Sequence, residues 1–344
     1  MKRVIALVDC NNFFVSCERL RHPELKEKPV CVLSNNDGCV ISRSNEAKKM
    51  GVKMGAPYFI AKNQFKKVEF LSGDLNFYRE ISKQIMTKLF DFTPDVEIYS
   101  IDEAFLDLTG LRKTFKCSYE ELIERIVKDI MIETGIPVSV GMSYSKVLAK
   151  LANDKAKALQ KKLPDKKTYK IGYREIEREL KATLISEVWG IGANTTALLK
   201  KYLIQTAWDF CSQQDVWIKQ KIGKTGLELK QELLGNIISP VNPNPALPKM
   251  VSRSASFKEF QTDKNYIKEQ LNHHIHEVFK KLRQKELLTS CIYVEIRTKD
   301  FYRESTKINL TSPTNSEFEI MKQAENALMN MLKDNVIYRA VGFG

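Results

Sequence analysis

Tyr99-Ser100-Ile101-Asp102-Glu103-Ala104-Phe105-Leu106-Asp107-Leu108 is the stretch that decides how this chain is read. A short loop ends in two adjacent carboxylates, runs at once into an apolar strand and turns at Thr109-Gly110. Acids side by side in an apolar, β-rich run are costly to bury unless a cation or a basic partner balances them. An isolated Asp-Glu pair is also explained by a solvated turn between two strands. A third acid shifts that balance. Asp9 ends the buried-strand run Val4-Ile5-Ala6-Leu7-Val8 and is followed by Cys10-Asn11-Asn12-Phe13-Phe14. Two strands that each deliver carboxylate oxygen at one end make the arrangement that hard divalent cations such as Mg²⁺ require.

Outward from these strands, residues 74–91 carry Phe77, Ile81, Ile85 and Leu89 at the spacing of an amphipathic helix. The pattern predicts strands at 95–99, 104–108 and 138–141, and helices at about 119–133 and 145–159. Pro29–Leu33 and Cys39–Ile41 read as strands joined by the turn Ser34-Asn35-Asn36-Asp37-Gly38. Ser44 caps a short helix that Gly51 ends. Residues 171–238 read as helical. Ser239–Pro248 holds four prolines in ten residues, which favours an extended tether and a domain boundary. Beyond it the order is strand (251–257), helix (264–285), strand (290–298), strand (307–310), helix (316–333), strand (337–343). His273, His274 and His276 lie in the first of these helices. Three histidines with no cysteine nearby are too few for a zinc site and read as a surface face.

Three segments together identify a resemblance: the D-x-N-x-F-F opening at Asp9, Ser34–Ile41, and Ser100-Ile101-Asp102-Glu103-Ala104. They are similar to the Y-family DNA polymerases, in particular the UmuC branch, the translesion subunit of the bacterial SOS response. The likeness runs from residue 3 to the last residue. It implies an α+β right-hand polymerase: a palm whose sheet carries helices on one face (1–10 and 77–165), fingers (11–76), a helical thumb with a helix-hairpin-helix (166–238), the proline-rich tether (239–248) and a β-α-β-β-α-β little finger (249–344). It also implies two Mg²⁺ ions on Asp9, Asp102, Glu103 and the backbone carbonyl of Cys10. Asp107, five residues beyond Asp102, is expected on the opposite face of its strand.

For the incoming nucleotide, the backbone N–H groups of Asn12 and Phe13 open a helix and suit a triphosphate. By resemblance Phe14 is the steric gate beneath the deoxyribose, although an unplaced Phe13-Phe14 pair would ordinarily be core. The family's T-x-x-Y-x-x-R triphosphate pattern falls on Ser42, Asn45 and Lys48. Asn45 cannot present a phenol, and Lys48 offers a point charge where arginine gives a fork. Lys157 matches the family's remaining triphosphate lysine. It lies in a run with nine lysines against two aspartates from Lys146 to Lys170, a pattern that otherwise describes a solvated helix face. Gly190-Ile191-Gly192 before a helix with Lys200-Lys201 suits a DNA phosphate, as does Arg253 in the little finger.

The formal net charge is +13, and the segments 1–165 (27 basic, 22 acidic), 166–248 (12, 8) and 249–344 (16, 12) are each positive, by 5, 4 and 4. Such a chain suits a polyanion tracked along its whole length. Primed template DNA and deoxyribonucleoside triphosphates are therefore the expected partners, and the resemblance leaves room for a UmuD-like subunit and a recombinase filament. No run of 18 apolar residues occurs, the first apolar stretch is too short for a signal peptide, and the seven cysteines form no C-x-x-C pair. A reduced, cytoplasmic bacterial protein, nucleoid-associated during DNA damage, is expected. Relatives of the UmuC branch continue past the closing strand into a tail with a sliding-clamp motif. No such motif follows residue 337 here, so weak clamp stimulation and a fraying last strand are expected. Two other readings stand beside the polymerase. A nucleotidyl cyclase would use similar acids without needing residues 171–344. A catalytically silent, shortened UmuC-like scaffold would not need Asp9, Asp102 and Glu103 intact.

Overall fold

The computed structural model describes residues 3–244 and 246–344, and the chain divides into two compact units, Met1–Pro245 and Ala246–Gly344. The strands of the first unit are β1 (Ile5–Cys10), β2 (Val30–Leu33), β3 (Val40–Arg43), β4 (Glu69–Ser72), β5 (Val96–Ile98), β6 (Glu103–Asp107), β7 (Val138–Ser143) and β8 (Thr168–Lys170). Five of them form a sheet in the order β5-β6-β1-β7-β8, with β1 central and antiparallel to both neighbours. Strand alternation sorts the side chains. Ala6, Val8 and Cys10 of β1 meet Ile81, Ile85, Leu122 and Ile126 of helices Leu75–Leu89 and Tyr119–Thr134. Ile5, Leu7 and Asp9 face the other way, where helix Lys146–Gln160 lies against β7 and β1. Two of the three expected helices therefore cover one face, and the third, Lys146–Gln160, covers the face that bears the acid, so the palm's helices are not confined to one face as expected.

Gly141 makes the approach of that third helix possible. A Cβ built there would stand 2.0 Å from Asn153 N and 2.3 Å from Ala149 O. Backbone meets backbone at this point, and no other residue fits. A second sheet, β3-β2-β4, carries its own small core around Cys31, Leu33 and Val40. The sequence patterns anticipated β2 and β3, but not β4 or helix Tyr58–Gln64. Residues 171–238 are helical as expected, around Leu180, Leu199, Phe210 and Leu233. The start of the proline-rich segment is not a free tether: Val241 packs against Ile5, Leu7, Phe105 and Ala149, and the Asn242 N–H donates to Glu97 Oε2 at 2.6 Å.

The second unit is the expected β-α-β-β-α-β: β9 (Arg253–Gln261), helix Lys264–Gln284, β10 (Thr289–Thr298), β11 (Arg303–Thr314), helix Glu317–Met331 and β12 (Tyr338–Phe343). Its sheet order is β11-β10-β12-β9, all antiparallel. The closing strand does not lie at an edge. β12 is paired on both sides, and the Gly344 and Tyr293 backbones exchange two hydrogen bonds beyond it. Nor are the histidines all on the surface. His273 and His276 are exposed, but His274 is only 2% exposed, and its Nδ1 accepts from Arg253 Nε. No helix of the described residues is long and apolar enough to cross a membrane.

Burial, with the charge of Arg253 and then His273, lowers the His274 pKa to about 4. The unfolded chain takes that proton first, so stability is intact above pH 6.5 and falls as pH drops toward 4. Urea titrations should show a loss of about 2 kcal/mol by pH 5 that His274→Gln removes. An unchanged pH slope in that variant would clear His274 of the effect.

Candidate active site

The geometry begins with the pairing of β1 and β6, which sets Asp9 directly opposite Glu103. The loop before Glu103 is tied down by its own groups. Ser100 Oγ donates to Asp102 Oδ1 at 2.6 Å and accepts from the Asp102 and Glu103 N–H groups at 3.2 and 3.0 Å. The Cys10 N–H donates to the Asp102 carbonyl at 2.9 Å, which joins the two acid-bearing ends. Asp107 shares the face of Glu103 rather than taking the opposite one as expected, but lies at the other end of β6, opposite Ile5, its carboxylate accepting from the Thr109 N–H at 2.9 Å.

Helix Lys146–Gln160 supplies the counter-charges from the same face. Lys157 pairs with Asp9 Oδ2, and Lys150 donates to both Glu103 oxygens at 2.6 and 2.8 Å. Lys146, one turn earlier, pairs with Glu97 at 2.6 Å. Lys150 was not singled out from the sequence. Its signal was the spacing of Lys146, Lys150 and Lys157, which puts all three on one helix stripe. The lysine run is thus not a plain solvated face.

Asp9 is 6% exposed. Burial pushes its carboxyl up to about 7 against the pull of Lys157, with Glu103 adding to the rise. Burial would raise Glu103 as well, yet its hydrogen bond with Asp9 and the Lys150 ammonium hold it below the usual range. This is a buried acid pair in which each carboxylate meets one lysine, and desolvation decides the difference between the two. Among the described residues no three His, Cys, Asp or Glu side chains converge into a metal cluster: Asp102 turns to Ser100, and the other two turn to lysines. The donors are nevertheless hard carboxylate oxygens at adjoining strand ends, the chemistry a divalent cation selects.

An open cleft of about 980 Å³ begins at these acids. Cys10, Asn12, Phe13, Phe14, Ser42, Asn45, Lys48 and Lys157 all line it, so the residues predicted for metal and nucleotide come together. Asn12 sits in the left-handed region at φ 50°, at the N-cap of helix Phe13–Arg21, which leaves the following N–H groups uncapped by a side chain. Its own amide donates to Asn45 Oδ1 at 3.0 Å and accepts from Lys48 Nζ. The two positions that depart from the family's triphosphate pattern therefore meet through Asn12. Phe13 is 3% exposed and belongs to the core, whereas Phe14 is half-buried and stacks on Tyr78 at 4.7 Å.

The predicted DNA contacts fare unevenly. Gly190, at φ +96°, and the extended Gly192 form the turn before helix Ala193–Lys201, as expected. Lys200 and Lys201 are exposed but sit at the far end of that nine-residue helix, roughly 13 Å from the turn. They do not join the glycine turn in one phosphate site. Arg253 is engaged within its own unit. Strand alternation sends it to the helix side with Phe257, where it bonds His274 and faces Glu277 at 3.5 Å. The open side of that sheet carries Ser254 and Ser256 instead, beside Gly342 and Ala340.

Residues 8–154 match the model of the impB/mucB/samB family, and residues 248–344 match the model of its C-terminal domain. The chain is 33% identical to Protein UmuC of Salmonella typhimurium, covering 98% of this chain and 82% of that protein. It is 30% identical to a DNA polymerase IV of Dehalococcoides mccartyi, over 99% of this chain and 86% of the relative. Among solved structures, a Y-family DNA polymerase chimera of Dbh and Dpo4 matches with a TM-score of 0.84 and 26% identity, covering 99% of this chain and 97% of the other. A ternary complex of Dbh, described as an insertion complex, matches with a TM-score of 0.66 and 25% identity, over 99% and 97%. Two strand-end acids beside a lysine-lined cleft, on a chain alike from end to end to these proteins, place it: this chain belongs to the impB/mucB/samB family, within the Y-family DNA polymerases.

Proposed function

We propose that this protein is a template-directed translesion DNA polymerase that extends primers past damaged bases with low fidelity, as in SOS mutagenesis and repair. The observation that carries this reading is the placement of Asp9 opposite Glu103 at the mouth of a cleft lined by Asn12, Phe14 and Lys157. On this reading residues 1–10 and 77–165 are the palm, 11–76 the fingers, 166–238 the thumb and 249–344 the little finger. Primed template DNA and deoxyribonucleoside triphosphates are the substrates. At the level of the UmuC branch, a UmuD-like subunit and a recombinase filament are proposed partners.

Nucleotidyl transfer joins the primer 3′-oxygen to the α-phosphorus and releases pyrophosphate. Two divalent cations, Mg²⁺ in this proposal, held by Asp9, Asp102, Glu103 and the Cys10 carbonyl would supply charge stabilisation at the attacking and leaving oxygens. The chain's own residues do the rest. Lys157 and Lys48, with the N–H groups that open helix Phe13–Arg21, bind the triphosphate; Lys157 and Lys150 balance the acids until substrate arrives. Phe14 and Tyr78 shape the floor under the sugar. The nucleotidyl cyclase reading leaves the helical region and second unit without a task. The silent scaffold does not explain why the three acids are retained.

Primer extension with Mg²⁺ on a short primed template tests the proposal, and no extension by the full chain would sink it. Within it, Lys150→Met should lower kcat by about 100-fold with little change in KM for the nucleotide, because Glu103 loses the group that aims it. Lys150→Arg should recover part of the loss. A rise in KM at constant kcat would instead make Lys150 a nucleotide ligand.

A further inference from the structure

A second cavity, of about 330 Å³, lies in the first unit beside the acid-bearing sheet edge. Trp189, Ile222, Leu229 and Ile238 give it apolar walls, and Glu97 and Glu232 bring carboxylates to it. Glu232 is 4% exposed. Its Oε1 accepts from the Ile238 and Ser239 N–H groups, both at 2.8 Å, but Oε2 is buried with no partner among the described residues. Leaving a buried carboxylate oxygen unpaired is costly. Charge points the same way. Glu97, Glu228 and Glu232 line the cavity against Lys146; Lys146 is engaged by Glu97 at 2.6 Å and Glu228 faces Lys224 at 3.5 Å, which leaves Glu232 as the carboxylate without a cation. In a chain of net charge +13, this is a local acidic hollow.

We propose that this cavity binds a small amphipathic cation, its apolar or aromatic body packed against Trp189 and Leu229 and its ammonium or amidinium group paired with the Glu232 carboxylate. The volume stands at the lower end for ligand cavities and suits a free small molecule. An apolar cavity with one or two placed polar groups is the usual form of such a site. Occupancy reaches toward the chemistry through Trp189. The indole packs edge-on to Tyr99 at 5.5 Å and against Phe105 at 6.0 Å, and Lys150 Nζ lies 5.7 Å from its ring. Lys150 holds Glu103. A ligand that reorients Trp189 therefore shifts the support of a proposed catalytic acid.

The test is read without DNA, so it stands or falls independently of the polymerase reading. Trp208→Phe and Trp217→Phe leave Trp189 as the sole tryptophan of the three. Phenylpropylamine is titrated against this variant, with phenylpropanol as the uncharged control. A saturable change in Trp189 emission is expected for the amine, with the alcohol binding roughly tenfold more weakly. Glu232→Gln keeps the Oε1 acceptor and should make the two probes equal. Leu229→Trp, read by titration calorimetry, fills the cavity and should abolish binding of both. Equal binding of amine and alcohol to unsubstituted Glu232, or amine binding that survives Leu229→Trp, overturns the proposal. If Glu232→Gln does not fold, as its melting curve would show, Leu229→Trp and the alcohol control still decide.

Discussion

Asp9→Asn is expected to lower the rate of primer extension at saturating nucleotide by about 10³-fold, while DNA affinity stays nearly constant. The substitution keeps the shape of a side chain that is 6% exposed in the middle of a sheet, so the fold should hold. What it removes is the charge that, with Glu103 opposite, makes the strand ends a place for divalent cations. DNA affinity should survive because phosphate contacts spread over the chain carry it. Lys157 gives the test an internal control. It pairs with Asp9 in this structure, and a neutral amide in place of that carboxylate would leave its ammonium freer to meet a triphosphate. Nucleotide affinity should therefore hold or improve while turnover collapses. Single-turnover extension and equilibrium DNA binding measure the two sides, and extension at near the unsubstituted rate would remove Asp9 from the chemistry.

Much of this site was legible in the sequence because its signals are local. Val4–Val8 ending in Asp9, and Asp102-Glu103 ahead of an apolar run, fix where strands end, and strand ends are where side chains gather over a sheet edge. Other features depend on pairings that no local pattern encodes. Lys150 looked like any lysine in a basic run, since its partner Glu103 lies 47 positions away. β4 has an amphipathic mixture of residues, Glu69-Phe70-Leu71-Ser72, and becomes a strand only because β2 offers a parallel edge. β11 was expected at 307–310 and runs from Arg303 to Thr314, since the polar alternation of its ends is stabilised by β10 rather than by a core of its own. His274 was misplaced, and the face that Arg253 takes was not read, for a related reason. One residue of register decides which face a strand side chain takes, and a histidine at a buried helix position reads like any polar surface residue. The glycine turn at Gly190 was found, but Lys200 and Lys201 were credited to it because closeness in sequence was taken for closeness in space. Along a helix each residue adds about 1.5 Å, and the turn and the lysines end up at opposite poles.

The two adjacent phenylalanines supply the other large effect, and they are expected to part company. Phe14→Ala should lower the preference for deoxyribonucleotides over ribonucleotides by about 10- to 100-fold, the size of a steric overlap relieved. The ring is half-buried, lines the cleft and is held flat against Tyr78 at 4.7 Å with 21° between planes. Tyr78 is itself fully buried and donates to Glu18, so the proposed floor under the sugar is backed by a firmly held side chain. On the proposed reading, a rigid ring at that place would exclude a 2′-oxygen by contact alone. Phe13 projects into the core beneath, at 3% exposure, among the side chains that join β1 to helix Leu75–Leu89. Phe13→Ala should instead cost about 3–5 kcal/mol of stability and leave sugar selectivity near its starting value. Incorporation ratios for paired ribo- and deoxyribonucleotides, measured beside urea unfolding curves, separate the two roles. A selectivity change that follows Phe13 rather than Phe14 would mean that the helix opening at Asn12 presents its residues one step differently to the nucleotide.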